Sequence, residues 1–108
     1  MKNPIPPPYT INRDRWNQLT ILEQLGNIGS EVGRTLKLKH RGTDFEPALI
    51  RALDLFDATI ELLVSKKSYR LKEVLRARDQ FLQSIFVKED NAIEQYFMQF
   101  AIAARNTR

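Results

Sequence analysis

The 108-residue chain has no cysteine and one histidine, His40. Thiolate nucleophiles, thiolate metal sites and disulfides are therefore excluded. Any catalytic or binding set must come from carboxylates, guanidiniums, hydroxyls and that single imidazole. Four charged residues matter most, because helical spacing carries them toward apolar stripes. Glu31 lies beside Ile28 and Val32, with Arg34 one turn on; Asp57 lies one turn past Leu53; Arg78 falls between Leu75 and Leu82. A guanidinium on an apolar face requires a carboxylate, since an unpaired buried charge is expensive. The pattern thus predicts either a buried ion pair that fixes helix register, or a polar pocket of Glu31, Arg34, Asp57 and Arg78 suited to a small anion or nucleotide.

Two further sets suggest chemistry and are weaker. Asp54, Asp57 and Glu61 stand at i, i+3 and i+7, so one helical face carries three carboxylates that could hold a divalent cation together with Glu31. This resembles the all-α nucleoside-triphosphate pyrophosphatases, but the paired glutamates of those enzymes are missing, and Arg34 and Arg51 would neutralise the acids. Arg34 and His40 have a spacing similar to the arginine–histidine motif of HEPN ribonucleases, which are small α bundles that dimerise. In this chain, however, His40 falls where a cation would offset a helix C-terminal dipole. The expectation is no catalytic residue, no metal and no cofactor.

Helices must position these side chains. Four of the five prolines fall within Asn3–Tyr9, a stretch that excludes helix and favours an extended arm over residues 1–15. Its Pro6-Pro7-Pro8-Tyr9 matches the Pro-Pro-x-Tyr pattern read by WW domains; packing of Tyr9 or Trp16 against the rest of the chain is the simpler use. Residues 16–108 then show helical periodicity throughout. Leu22, Leu25, Ile28, Val32 and Leu36 form one stripe, opened by the capping-box pair Thr20 and Glu23 and closed by the cations and glycine of Lys37–Gly42. Leu49, Leu53, Phe56, Ile60 and Leu63 form a second, with Asp44 as N-cap and Pro47 in the first turn. Leu71, Val74/Leu75, Arg78, Phe81/Leu82 and Ile85 form a third. Ile93, Phe97, Phe100 and Ala103 form a fourth, capped by Asp90 or Asn91.

Short connections between such helices force neighbours antiparallel, so the expected fold is all-α, an up-down-up-down four-helix bundle with an N-terminal arm. Gly26, Gly29 and Gly33 inside the first helix each cost about 1 kcal/mol relative to alanine. Close approach of another helix, offered by the Ala101, Ala103 and Ala104 face, would compensate. A phosphate-binding glycine loop is excluded, because no strand precedes the glycines and no Lys-Ser/Thr follows. No apolar run approaches the ~20 residues that span a bilayer, and the start lacks a signal-peptide core, so no membrane partner and a cytoplasmic setting are expected.

That topology sorts the charges. Seventeen basic and thirteen acidic residues give a net charge of +4. One end of the bundle collects Lys66, Lys67, Arg70, Lys72 and Arg105, with Arg13, Arg15 and Arg108 nearby, while the other end mixes both signs. Tyr69 and Trp16 interleave aromatic rings with this cluster, the combination used to bind single-stranded nucleic acid. The expected function is a non-enzymatic, homo-oligomeric binding module, dimeric by preference, for RNA, DNA or another acidic partner. The alternatives are a HEPN-like ribonuclease or nucleotide hydrolase, and a protein-interaction adaptor.

The segments Glu23–Arg34, Arg51–Asp57, Arg70–Asp79 and Phe100–Arg105 resemble those of a family of short prokaryotic all-helical proteins without an assigned activity. The resemblance spans about residues 16 to 105. It implies the four-helix fold and supplies no activity.

Overall fold

The computed structural model describes residues 10–88 and 92–106, and within them the chain is helical with no strand. Residues 1–9, with most of the expected arm, and the expected caps Asp90 and Asn91 lie outside the described residues. Five helices run in order: α1 (Arg13–Trp16), α2 (Ile21–His40), α3 (Glu46–Ser65), α4 (Leu71–Phe86) and α5 (Ala92–Asn106). None is long and apolar enough to cross a membrane.

The ends of α2 follow from local chemistry. Thr20 Oγ1 accepts from the Glu23 N–H at 3.1 Å while Glu23 Oε1 accepts from the Thr20 N–H at 2.9 Å, the reciprocal box expected from the sequence. At the other end Gly42 takes φ +72°, its N–H donating to Lys39 O and that of Thr43 to Leu38 O. This 5→2 and 6→1 pair is a Schellman motif with glycine at the left-handed position. The start of α3 differs slightly from expectation: Phe45 is the N-cap, and Asp44 Oδ1 accepts from the Glu46 N–H at 3.1 Å.

The glycine stripe sets how α5 packs on α2. A Cβ on Gly26 would lie 3.1 Å from Ala101 Cα, and one on Gly29 only 2.5 Å from Phe97 Cβ. With Gly33 next to Glu94, the pairing runs antiparallel and the backbones approach closely. The close approach expected of the glycines is found at Gly26, against Ala101, and at Gly29, against Phe97 and not an alanine; Gly33 has no such neighbour. α3 also runs antiparallel to α2, with Thr59 Oγ1 donating to Gln24 Oε1 at 2.8 Å near one end and Glu31 4.0 Å from Arg51 farther along. Phe56 on α3 joins the other helices, its ring centroid 6.0 Å from Phe81 on α4 and 5.6 Å from Phe97 on α5 in an edge contact.

Several residues of the sequence stripes, Leu22 and Leu71 among them, are not fully buried. Leu53, Ile60 and Leu82 are half-buried, and Leu75 is 42% exposed. On α4 the buried face is Val74, Ala77, Phe81, Ser84 and Ile85. The sequence stripe through Leu71, Leu75 and Leu82 lies roughly a third of a turn away, because α4 carries two adjacent apolar stripes and the shorter residue Ala77 completes the inner one.

Ahead of α2, residues 10–16 are bound to α3. Asp54 Oδ2 accepts the Ile11 N–H at 2.6 Å, and Arg13 bridges Asp54 at 2.9 Å and Glu61 at 3.1 Å. Partial burial alone would lower the Arg13 pKa, but hydrogen bonds and charge attraction from Glu61 and Asp54 outweigh it and raise the pKa above its ordinary value. Trp16, 3% exposed, closes this segment over the core.

Candidate nucleic-acid interface

The α3–α4 turn is built by a second Schellman motif. The Lys67 N–H donates to Val64 O at 3.1 Å and the Ser68 N–H to Leu63 O at 3.0 Å. The residue in the left-handed position is Lys67, at φ +51°. A side chain there is disfavoured by roughly 1–2 kcal/mol, and glycine is the usual choice. The same motif at the end of α2 uses Gly42. Ser68 then starts α4, its Oγ accepting the Arg70 N–H at 3.2 Å and its carbonyl the Leu71 N–H at 3.2 Å.

This turn presents Lys66, Lys67 and Tyr69 outward, with Tyr69 86% exposed and Lys72 following on the first turn of α4. Among the described residues none of the three lysines has a carboxylate within ion-pair distance. The Arg70 guanidinium lies 5.6 Å from the Tyr69 ring centroid and 3.8 Å from Glu73. Glu73 in turn accepts from the Tyr96 hydroxyl, which ties the start of α4 to α5. Burial first, and then that hydrogen bond and the Glu73 charge, push the Tyr96 phenol well above its ordinary range, against a smaller opposing effect of Arg70. Tyr96 is therefore a fixed strut beneath the turn, and Tyr69 is the free ring.

Two cations assigned to the same end from sequence are not part of the turn. Arg13 is engaged by Asp54 and Glu61. Arg105 borders a groove between α2 and α5 together with Gly26, Ser30, Arg34 and Ala101.

The four residues expected to form one polar pocket separate into two places. Glu31 pairs with Arg51 across α2 and α3, and the exposed Arg34 lines a groove with both of them. Asp57 pairs with Arg78 across α3 and α4 at 3.5 Å. The Arg78 side chain is 32% exposed and that of Asp57 51%, so this is a pair at the helix edge and not the buried guanidinium expected. Asp57 was one of two carboxylates, with Glu31, that spacing placed near Arg78; the burial depended on which stripe of α4 faces inward.

The other sets do not assemble. No group of three or more His, Asp or Glu side chains among the described residues could hold a metal; Asp54 and Glu61 are taken by Arg13, and Asp57 by Arg78. His40 is exposed on the last turn of α2. Arg34, six residues back, stands about 120° around the helix from it, so the two do not converge within one chain.

Sequence reasoning missed one polar constellation. Trp16 Nε1 donates to Thr59 Oγ1 at 2.9 Å, Thr59 Oγ1 donates to Gln24 Oε1 at 2.8 Å, and Gln24 Nε2 donates to the Trp16 carbonyl at 3.1 Å. Gln24 and Thr59 are fully buried. The loop closes on itself and satisfies its members, which marks it as structural. Its one signal in the sequence was Gln24 and Thr59 at core-facing positions of otherwise apolar stripes. No protein-family model, curated protein or solved structure matches the chain, so the residues and their geometry carry the functional reading.

Proposed function

We propose that the chain is a non-enzymatic binding module that grips single-stranded nucleic acid at the α3–α4 turn. The carrying observation is Lys67: a lysine occupies a left-handed position where the equivalent turn of the same chain has glycine. Strain kept at one residue is a pointer to use. Lys66 and Lys72 add charge for phosphates, Tyr69 offers a face on which a base stacks, and Arg70 stiffens that ring. Arg105 is a peripheral contributor, reached only by a strand that continues around the end of the molecule.

The proposal takes the four long helices as an up-down-up-down four-helix bundle. The antiparallel contacts of α2 with α3 and α5 support this, as does the short turn joining α3 to α4. The starts of α2 and α4 and the ends of α3 and α5 then share one end. A cytoplasmic setting accompanies this reading, because that is where such strands are met.

Fluorescence anisotropy with labelled oligo(dT) and oligo(U) tests it. Binding is expected at ~50 mM salt, falling steeply as salt rises. Lys67→Gly should raise folding stability by about 1 kcal/mol while weakening binding severalfold and reducing the salt slope by about 0.7. Tyr69→Ala should weaken binding with little effect on salt dependence. Lys37→Glu, toward the other end of α2, should leave affinity within about twofold. Absence of binding by the unmodified protein, or affinity indifferent to both Lys67→Gly and Tyr69→Ala, overturns the proposal.

A further inference from the structure

We infer that the groove between α2 and α5 binds a slender aliphatic dianion, a hydrocarbon chain with a carboxylate at each end. The groove has a volume of about 490 Å³, within the range of small-molecule sites. Its direction follows from the register of the two helices: Gly26 meets Ala101, Gly29 meets Phe97 and Gly33 faces Glu94. Arg105, one turn past Ala101 on α5, therefore stands at one end, and Arg34 and Lys37 on α2 stand at the other. From Gly26 to Lys37 the α2 side runs about 16 Å, at about 1.5 Å per residue. Among the described residues none of the three cations has a carboxylate within ion-pair distance. Glu94 offsets one charge at the Arg34 and Lys37 end and leaves that end net positive.

Between its charged ends the groove favours an apolar chain. The backbone groups of α2 and α5 along it are bonded within their own helices, and the Ser30 hydroxyl donates to Gly26 O at 3.3 Å. What remains is Met98, 58% exposed, with Ala101 and the glycine methylenes. An extended peptide would press N–H and C=O groups against this floor without partners. A helix of that length, about 10 Å across, would fill roughly twice the space. The width is set at Gly33, the one glycine of α2 that packing does not require. A Cβ there would meet only the end of the Glu94 side chain, at 3.8 Å, whereas Gly26 and Gly29 are pressed against α5. Glycine weakens a helix; here it keeps the floor open where a side chain would stand in the path of the ligand. Apart from Arg105 the groove shares no residue with the basic turn, so this inference does not depend on nucleic-acid binding.

Isothermal titration calorimetry on the full chain, at ~50 mM salt, is expected to show saturable binding of decanedioate. Decanoate, with the same chain and one carboxylate, should bind at least about fivefold more weakly, and butanedioate, too short to reach both ends, more weakly still. Adsorption to exposed apolar surface gives the reverse order, because decanoate is the more hydrophobic of the two longer acids. Lys37→Glu and, separately, Arg105→Glu should each weaken decanedioate binding at least about tenfold. Both residues are exposed, and circular dichroism is used to confirm that the variants keep their helix content. Gly33→Leu should block the groove without loss of helix, and Lys66→Glu, at the basic turn, should leave decanedioate affinity unchanged. Failure of decanedioate to bind, decanoate binding as tightly, affinity indifferent to Gly33→Leu, or an equal loss with Lys66→Glu overturns the proposal.

Discussion

Gly29 on α2 and Phe97 on α5 meet so closely that a Cβ on the glycine would lie 2.5 Å from the Phe97 Cβ. That atom is anchored to the backbone and cannot turn aside. Gly29→Ala should therefore destabilise the fold by ~1–3 kcal/mol, even though alanine favours helix by about 1 kcal/mol. Gly33→Ala should do the opposite, stabilising by ~0.5–1 kcal/mol, since the nearest atom is the end of the Glu94 side chain at 3.8 Å. Urea denaturation of the two variants checks both signs.

The Thr59 hydroxyl serves Trp16 and Gln24 at once. Thr59→Val keeps its shape but leaves a buried indole N–H and a buried amide oxygen unpartnered. The expected loss is about 2–3 kcal/mol, while Thr59→Ser should retain most of the stability. Trp16 is the one tryptophan, so its fluorescence follows unfolding directly.

Asp54 holds the segment ahead of α2 through the Ile11 N–H and Arg13. Asp54→Ala should loosen residues 10–16 without unfolding α2 to α5. Limited trypsin digestion is the readout: cleavage after Arg13 and Arg15 should accelerate severalfold while cuts in the long helices remain slow. Equal cleavage rates in the two proteins would show that Trp16 alone anchors the segment.

The Tyr96 phenol, raised by burial and by Glu73, is a pH-dependent contributor. A folded-state pKa above the unfolded value means that the folded chain holds this proton more tightly. Its contribution is complete below pH 10, the ordinary tyrosine value, and is lost as pH rises from there toward the folded value. Stability should fall more steeply above that pH in the unmodified protein than in Tyr96→Phe. Parallel curves would mean that the phenol ionises alike in both states.

Much of the fold was legible locally. Thr20 and Glu23 determine where α2 begins, Gly42 where it ends, and the 3.6-residue period identifies α3, α4 and α5, because caps and periodicity depend on residues a few positions apart. Gly26 and Gly29 even announced their close neighbour, since their propensity cost needed compensation. Tertiary structure alone decided which of two adjacent stripes on α4 turns inward, leaving Arg78 at an edge and Leu75 in solvent. It also decided that Arg13 serves Asp54 and Glu61 and that Gln24, Thr59 and Trp16 close into one loop. Apart from the Gln24–Trp16 bond, which spans 8 positions, those contacts join residues 35 to 48 positions apart. Hydrophobic periodicity specifies an angle on one helix; partner and depth follow only when several helices compete to bury their surfaces together.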